Sequence, residues 1–245
     1  MVTIRCKDAT FQNIRAVLFD KDGTLASSES FLKSLAQRRS RLIDAQVPGV
    51  QEPLLMAFGV DHTHINPAGL MAVGSRLENQ IAAAAYVAET GCGWVKSLEI
   101  VQSAFREADR YTANKAEQTP LIEGAAELIQ QLSKAGLKLG ILSSDSCSNI
   151  EEFLKKYGLA ALIPYQFGVD GYASKGEPAL LQHCFAVLGV EPEAVLMIGD
   201  SELDIQIARQ FQMAGCIAVS GGWMVSAPPT QADAIGSLSE IQVTV

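Results

Sequence analysis

The chain has 245 residues, 48% hydrophobic and 19% charged, with a formal net charge of −8. These values fit an ordinary globular protein, either one large domain or a domain carrying an insertion, with enough apolar residues for a real core. The acidic balance argues against nucleic acid or an anionic membrane surface as the main partner, and no uninterrupted run of about 18 apolar residues marks a membrane span.

Taken in chain order, the first apolar stretch, near Val2–Cys6, is expected to be a strand paired with the segment around Thr10–Asn13. "MVTIRCKDAT" contains no long apolar run and so no visible secretory signal. "IRAVLFD" reads as a strand of apolar and branched residues ending in Asp20. From residue 27 to 118 the chain turns Ala-rich and helical in period, with breaks at "VPGV", "INPAG" and "ETGCGW" and no alternating strand pattern. After Pro120 a new rhythm begins. "LIEGAAELIQQLSKAG" sets Leu121, Ala125, Leu128, Ile129 and Leu132 on one helical face and stops at Gly136. There follow a strand "LKLGILSS", a helix "NIEEFLKKYGL", a short strand "LIPYQFG" and a helix "EPALLQHCFAVLGV". A strand "AVLMIGD", a helix "ELDIQIARQFQMAG", a strand "CIAVSGG" and a tail with a last short strand and helix complete the chain. The five cysteines are scattered and form no C-x-x-C pair, which predicts reduced thiols and a cytoplasmic setting rather than disulfides or a zinc cage.

Strand–helix alternation at this spacing predicts an α/β fold: an open parallel sheet with helices on both faces and the carboxyl ends of the strands along one ligand-binding edge. Four polar clusters fall at those ends: Asp20-Lys21-Asp22-Gly23-Thr24, Ser143-Ser144-Asp145, the loop Ser174-Lys175-Gly176-Glu177-Pro178, and Gly199-Asp200-Ser201-Glu202-Leu203-Asp204. Asp20, Asp22, Asp200 and Asp204 cannot share a small volume as free anions, because like charges raise each other's pKa. A hard divalent cation resolves that conflict, and Mg2+ favours a few carboxylates together with water and phosphate oxygens. A lysine and one or two serine hydroxyls complete a set suited to phosphoryl transfer.

"DKDGTL", "ILSS", "KGEP" and "GDSELD" resemble, in the right order, the four motifs of the haloacid dehalogenase-like hydrolase superfamily. "IGDSELDIQIARQFQMAG" and a helical insertion directly after the first motif are similar to its phosphoglycolate phosphatase-like branch. The resemblance implies a Rossmann-like core over residues 1–26 and 119–245 and an α-helical cap over residues 27–118. It implies a phosphatase acting on a small phosphomonoester, phosphoglycolate or a sugar phosphate, with Mg2+ as cofactor. Asp20 is then the nucleophile, Asp22 the general acid/base, Ser143 and Lys175 the groups holding the phosphoryl, and Gly23, Thr24, Ser144 and Arg76 substrate contacts. Asp20, the Asp22 carbonyl, Asp200 and, as an outer support, Asp204 form the metal set. A phosphomutase on a sugar phosphate uses the same motifs, and a regulatory module that kept the fold is the non-enzymatic alternative. A dehalogenase needs no acid/base at the second position, so Asp22 argues against it. Two departures stand out: Lys21, where many relatives carry an apolar or aromatic residue, and Lys-Gly-Glu-Pro in the third motif, where Lys-Pro-x-Pro is common.

The remaining polar features have simpler expectations. Lys21 lies either in the site mouth or at the surface. Asp145 is expected to cap the next helix. Arg38, Arg39 and Arg41 are expected on a solvated helix face. Arg76 either reaches a substrate carboxylate or second phosphate, or is an exposed helix arginine. Asp61-His62-Thr63-His64 is expected to be a loop rather than a metal site, and Trp94 and Trp223 are expected to be packing residues.

Overall fold

The computed structural model describes residues 2–61, 63–111, 114–225 and 229–245. β1 (Val2–Cys6) and β2 (Ala9–Ile14) form the expected antiparallel hairpin. The next predicted strand begins two residues too early: Ile14 closes β2, and only β3 (Ala16–Phe19) enters the main sheet. All four β3 residues are buried, as befits a central strand covered on both faces.

Six helices follow: α1 (Glu29–Asp44), α2 (Gln51–Phe58), α3 (Leu70–Val73), α4 (Arg76–Glu89), α5 (Trp94–Tyr111) and α6 (Lys115–Gln118). The breaks between α1 and α2, α2 and α3, and α4 and α5 fall at the expected "VPGV", "INPAG" and "ETGCGW", whereas the one between α5 and α6 has no glycine or proline to mark it. Gly59 ends α2 in the left-handed region at φ 76°, and Ser75 opens α4 with a reciprocal capping box to Glu78. Their apolar faces, among them Leu35, Ile43, Phe58, Ala83, Val101 and Phe105, build a core of their own.

The chain then alternates through α7 (Ala125–Lys134), β4 (Lys138–Leu142), α8 (Cys147–Lys156), β5 (Tyr165–Phe167), α9 (Pro178–Leu188), β6 (Val195–Gly199), α10 (Glu202–Gln210), β7 (Gly215–Val219) and β8 (Ala234–Gly236). The six strands of the main sheet are parallel, in the order β5-β4-β3-β6-β7-β8. α7 and α8 cover one face through Leu128, Ile129 and Phe153, and α9 and α10 cover the other through Leu181, Cys184 and Ile205. This is the α/β architecture expected from the sequence.

The tail differs from expectation. β8 is present, but the helix after it is a single 3-10 turn, Leu238–Glu240, and the chain ends in β9 (Ile241–Thr244). β9 pairs antiparallel with β1, making a separate sheet in the order β2-β1-β9. Four residues are too few to display an alternating pattern, and the partner strand lies at the opposite end of the chain. Among the described residues no helix is long and apolar enough to cross a membrane.

Candidate active site

β3, β4 and β6 are neighbours, so their carboxyl ends set Asp20, Ser143 and Asp200 side by side. The Asp20 amide continues the ladder by donating to the Ile198 carbonyl at 2.8 Å, and the Ser143 amide donates to Phe167 at 3.0 Å. Lys175 arrives from the loop between β5 and α9. Its ammonium donates to Asp20 Oδ1 and to Asp204 Oδ1, each at 2.8 Å. Asp204 is the third residue of α10, and its Oδ2 accepts from the Ser201 amide at 3.0 Å and the Ser201 hydroxyl at 2.6 Å. Both of its oxygens are therefore engaged in holding Lys175 and the start of α10.

Carboxylate oxygens of Asp20, Asp200 and Asp204 lie within 4.8 Å of one another, and all three residues are buried. Burial, opposed by Lys175 and reinforced by Asp204, lifts the Asp20 carboxyl to about 6. Burial, with Asp20 and Asp204 beside it, holds the Asp200 carboxyl well above the usual range. Burial works against the Lys175 ammonium, but Asp20 and Asp204 outweigh it and hold the lysine above its ordinary value. One lysine among three buried carboxylates leaves an excess of negative charge on hard oxygen donors, and a divalent cation fits that donor set.

Asp22 belongs to a second network. Its Oδ1 accepts from Lys21 and from the Ser28 hydroxyl, each at 2.5 Å, and its Oδ2 accepts from Lys115 at 2.6 Å. The same two lysines meet Asp145 Oδ2, Lys21 at 3.1 Å and Lys115 at 2.7 Å. Two carboxylates and two ammonium groups thus close a partly buried ring. Burial raises both carboxyls, yet Lys115 and Lys21 outweigh it and hold Asp22 and Asp145 below the usual carboxylate range. Lys115 is raised above its ordinary value, because Asp145 and Asp22 outweigh its burial.

Several expectations need correction. Lys21 is not at the surface: it is 1% exposed, paired to both aspartates, with its ammonium 5.7 Å from the centre of the Phe153 ring. Asp145 does not cap α8; Ser146 does, accepting from the Asn149 amide, while Asp145 accepts from Asn149 Nδ2. Thr24, expected to contact substrate, gives its hydroxyl to Asp200 Oδ1 at 2.7 Å and is fully buried behind it. Gly23 is buried as well. At φ 89° it turns beneath Trp223, where a Cβ would sit 2.4 Å from the indole nitrogen. Trp223 does more than pack, since its Nε1–H donates to Asp200 Oδ2 at 2.6 Å while the ring joins the helical core. Trp94, expected to pack, is about half exposed. Arg39 is buried, because a four-residue helical step aligns it with Phe31, Leu35 and Ile43; Arg38 and Arg41 are exposed.

Other residues fall as follows. Ser144 donates its hydroxyl to the Val73 carbonyl at 2.9 Å, and Ser75 donates to Ala173 at 2.6 Å, so both tie the helical insertion to the core. Arg76 pairs with Asp109 at 2.6 Å. In the Asp61–His64 segment, Asp61 Oδ1 accepts from the Thr63 and His64 amides and shapes a turn; His62 lies outside the described residues. Lys115, in "TANKAEQTP", is the main residue that sequence reasoning misses, because nothing in that stretch marks it.

Two cavities border the site. A small one of about 20 Å3 is lined by Asp20, Asp22, Ser143, Ser144, Lys175, Asp200 and Ser201, and is roofed by Ala72 and Val73 of the insertion. A large one of about 980 Å3 lies between the insertion and the segments 144–152 and 169–173, with Lys115, Ser144 and Asp145 in its wall. Ser144 lines both.

Residues 14–212 match the haloacid dehalogenase-like hydrolase family. The chain is similar to a phosphoglycolate phosphatase of Salmonella choleraesuis strain SC-B67, with 27% identity over 85% of this chain and 81% of that protein. It is also similar to a phosphoglycolate phosphatase of Synechococcus elongatus, 41% identical over 42% of this chain; that match spans 46% of the relative, less than half its length. Among solved structures, that of a predicted phosphoglycolate phosphatase from Haemophilus somnus 129PT superposes with a TM-score of 0.69. It covers 94% of this chain and 96% of that one at 17% identity, a likeness of fold.

Proposed function

The chain belongs to the haloacid dehalogenase-like hydrolase family, and from that membership we propose that it is a Mg2+-dependent phosphatase acting on a small phosphomonoester through an aspartyl-phosphate on Asp20. The observation that carries this reading is Asp20 held at 2.8 Å by Lys175 inside a buried carboxylate cluster, with Asp22 two residues on. The names of the Salmonella and Synechococcus relatives support a phosphomonoester as substrate.

In the first step a carboxylate oxygen of Asp20 attacks phosphorus. The new O–P bond forms as the ester P–O bond breaks, and the departing alkoxide takes a proton delivered through Asp22, which is ionised between Lys21 and Lys115 in the arrangement above and must take up that proton as substrate enters, releasing an alcohol. In the second step Asp22 takes a proton from water, and the oxygen attacks the same phosphorus. The bond to Asp20 breaks and inorganic phosphate leaves. Lys175 anchors Asp20 and offsets charge on the phosphoryl oxygens, and the Ser143 hydroxyl donates to one of them. Asp20, Asp200 and the Asp22 carbonyl would hold Mg2+, with Asp204 supporting Lys175. The ion supplies positive charge for the phosphoryl oxygens. The helical insertion acts as a cap: Ala72 and Val73 close over the site and exclude bulk water.

The test is phosphate release from a panel of phosphomonoesters by the purified protein. Release is expected with Mg2+, absent in EDTA, and reduced at least about a thousandfold in Asp20→Asn. Full activity in Asp20→Asn overturns the covalent route. A rearranged sugar phosphate in place of free phosphate overturns the phosphatase reading in favour of a mutase.

A further inference from the structure

We propose that Arg39 and Arg76 form a subsite for a carboxylate carried by the leaving group, so that the substrate is a sugar-sized phosphomonoester bearing a carboxylic acid. This deepens, and rests on, the phosphatase reading. Arg39 is 5% exposed and lines the large cavity. Its Nε is buried without a hydrogen-bond partner among the described residues. Its other nitrogens are held weakly: Nη1 has Met71 Sδ at 4.0 Å, and Nη2 has Asp109 at 3.5 Å. A buried guanidinium with an unmet donor is costly unless something fills it.

Arg76, in the same wall, makes the closer contact to Asp109. Both guanidiniums lie on Phe105, Arg39 at 4.1 Å and Arg76 at 5.4 Å from its centre, so one ring orients both forks. Two planar cations share the single Asp109 carboxylate. Two adjacent guanidinium forks match the planar pair of oxygens of a carboxylate, and Asp145, Glu152 and Asp170 in the same lining disfavour the higher charge of a second phosphate. The burial that isolates Arg39 also lowers its pKa to about 10, against the opposing pull of Asp109.

The position fixes which part of the substrate reaches this clamp. The large cavity is bounded by Lys115, which bonds the Asp22 carboxylate, and by Ser144, which also lines the small cavity around Asp20. It therefore opens on the side of the acid/base, where the alcohol departs. A volume of about 980 Å3 exceeds what a two-carbon acid fills and suits a ligand of sugar size or larger.

The test compares two phosphomonoesters of equal carbon number, a sugar phosphate and the matching sugar-acid phosphate, with a sugar bisphosphate as a third arm. The acid is expected to have a kcat/KM at least tenfold above the neutral ester, mainly through KM. Arg76→Gln and Arg39→Lys are each expected to reduce that ratio at least tenfold. A purely structural role lowers both esters together and leaves the ratio intact, which overturns the proposal. A preference for the bisphosphate overturns the carboxylate assignment. Turnover of no phosphomonoester instead overturns the phosphatase reading. The subsite is then read alone, by thermal shift with the phosphate-free sugar acid: a rise in Tm that Arg76→Gln abolishes supports it, and no rise overturns it.

Discussion

Asp200 has both oxygens engaged by neutral donors, Thr24 on one and Trp223 on the other, while its charge goes unpaired. Asp20 is paired with Lys175, yet burial lifts its carboxyl to about 6. The sign of the effect follows. A carboxyl raised above its unfolded value binds more protons in the folded state, so its contribution to stability falls as pH rises from about 4 to about 6. A bound cation reverses this, because it favours the ionised form. At a fixed, sub-saturating MgCl2 concentration, the Mg2+-induced rise in Tm is expected to be larger at about pH 7.5 than at about pH 5, where protons compete for Asp20. Differential scanning fluorimetry measures it, and an increment independent of pH contradicts the assignment. At this scale the sequence was legible where motifs bring their own context: Asp20, Ser143 and Asp200 stand at strand ends that periodicity locates, and Lys175 in a loop marked by its own motif. Lys115, Arg39 and Trp223 were not legible, since each acquires its partner only when segments distant in the chain pack together.

At the scale of elements, the loop after β7 is as consequential as the strands. Gly222 lies so close to the first motif that a Cβ would fall 1.7 Å from the Gly23 carbonyl oxygen, and Trp223 follows it onto Asp200. Backbone cannot yield by that much, so Gly222→Ala is expected to push the loop outward and release the indole. Loss of kcat/KM on the order of 100-fold should accompany a change in tryptophan fluorescence, because small displacements near reacting groups are expensive. Wild-type kinetics with unchanged fluorescence would show that the loop has room. The longer helices of the insertion, α1, α4 and α5, and most of the alternating core were readable because they are long enough to display their period. β9 was not, and the split between β2 and β3 was placed two residues early because Ile14 is apolar and only Arg15 separates it from Ala16–Phe19.

For the whole molecule, the first and last strands close on each other beside the main sheet, and Ile4, Cys6, Leu238 and Ile241 extend its core. Ile241→Ala is expected to cost about 3 kcal/mol in urea unfolding, the usual range for truncating a buried aliphatic side chain. A loss below about 1 kcal/mol would mean that the tail is marginal to the fold. The helical core around Phe58 and Phe105 is separate from the cores flanking the sheet, so the molecule has two packed bodies meeting at a polar seam.

Ala72 and Val73 roof the small cavity tightly. A space of about 20 Å3 admits one water and no phosphoryl group, so the arrangement described is closed to both substrate and product. The Ser144–Val73 and Ser75–Ala173 bonds tie the insertion to the core beside that space, so in the proposed phosphatase they are the ties that substrate entry would have to part. Apparent affinity is then discounted by the fraction of time the seam stands open. On the proposed reading, two serine hydroxyls govern how often the aspartates they shelter can be reached.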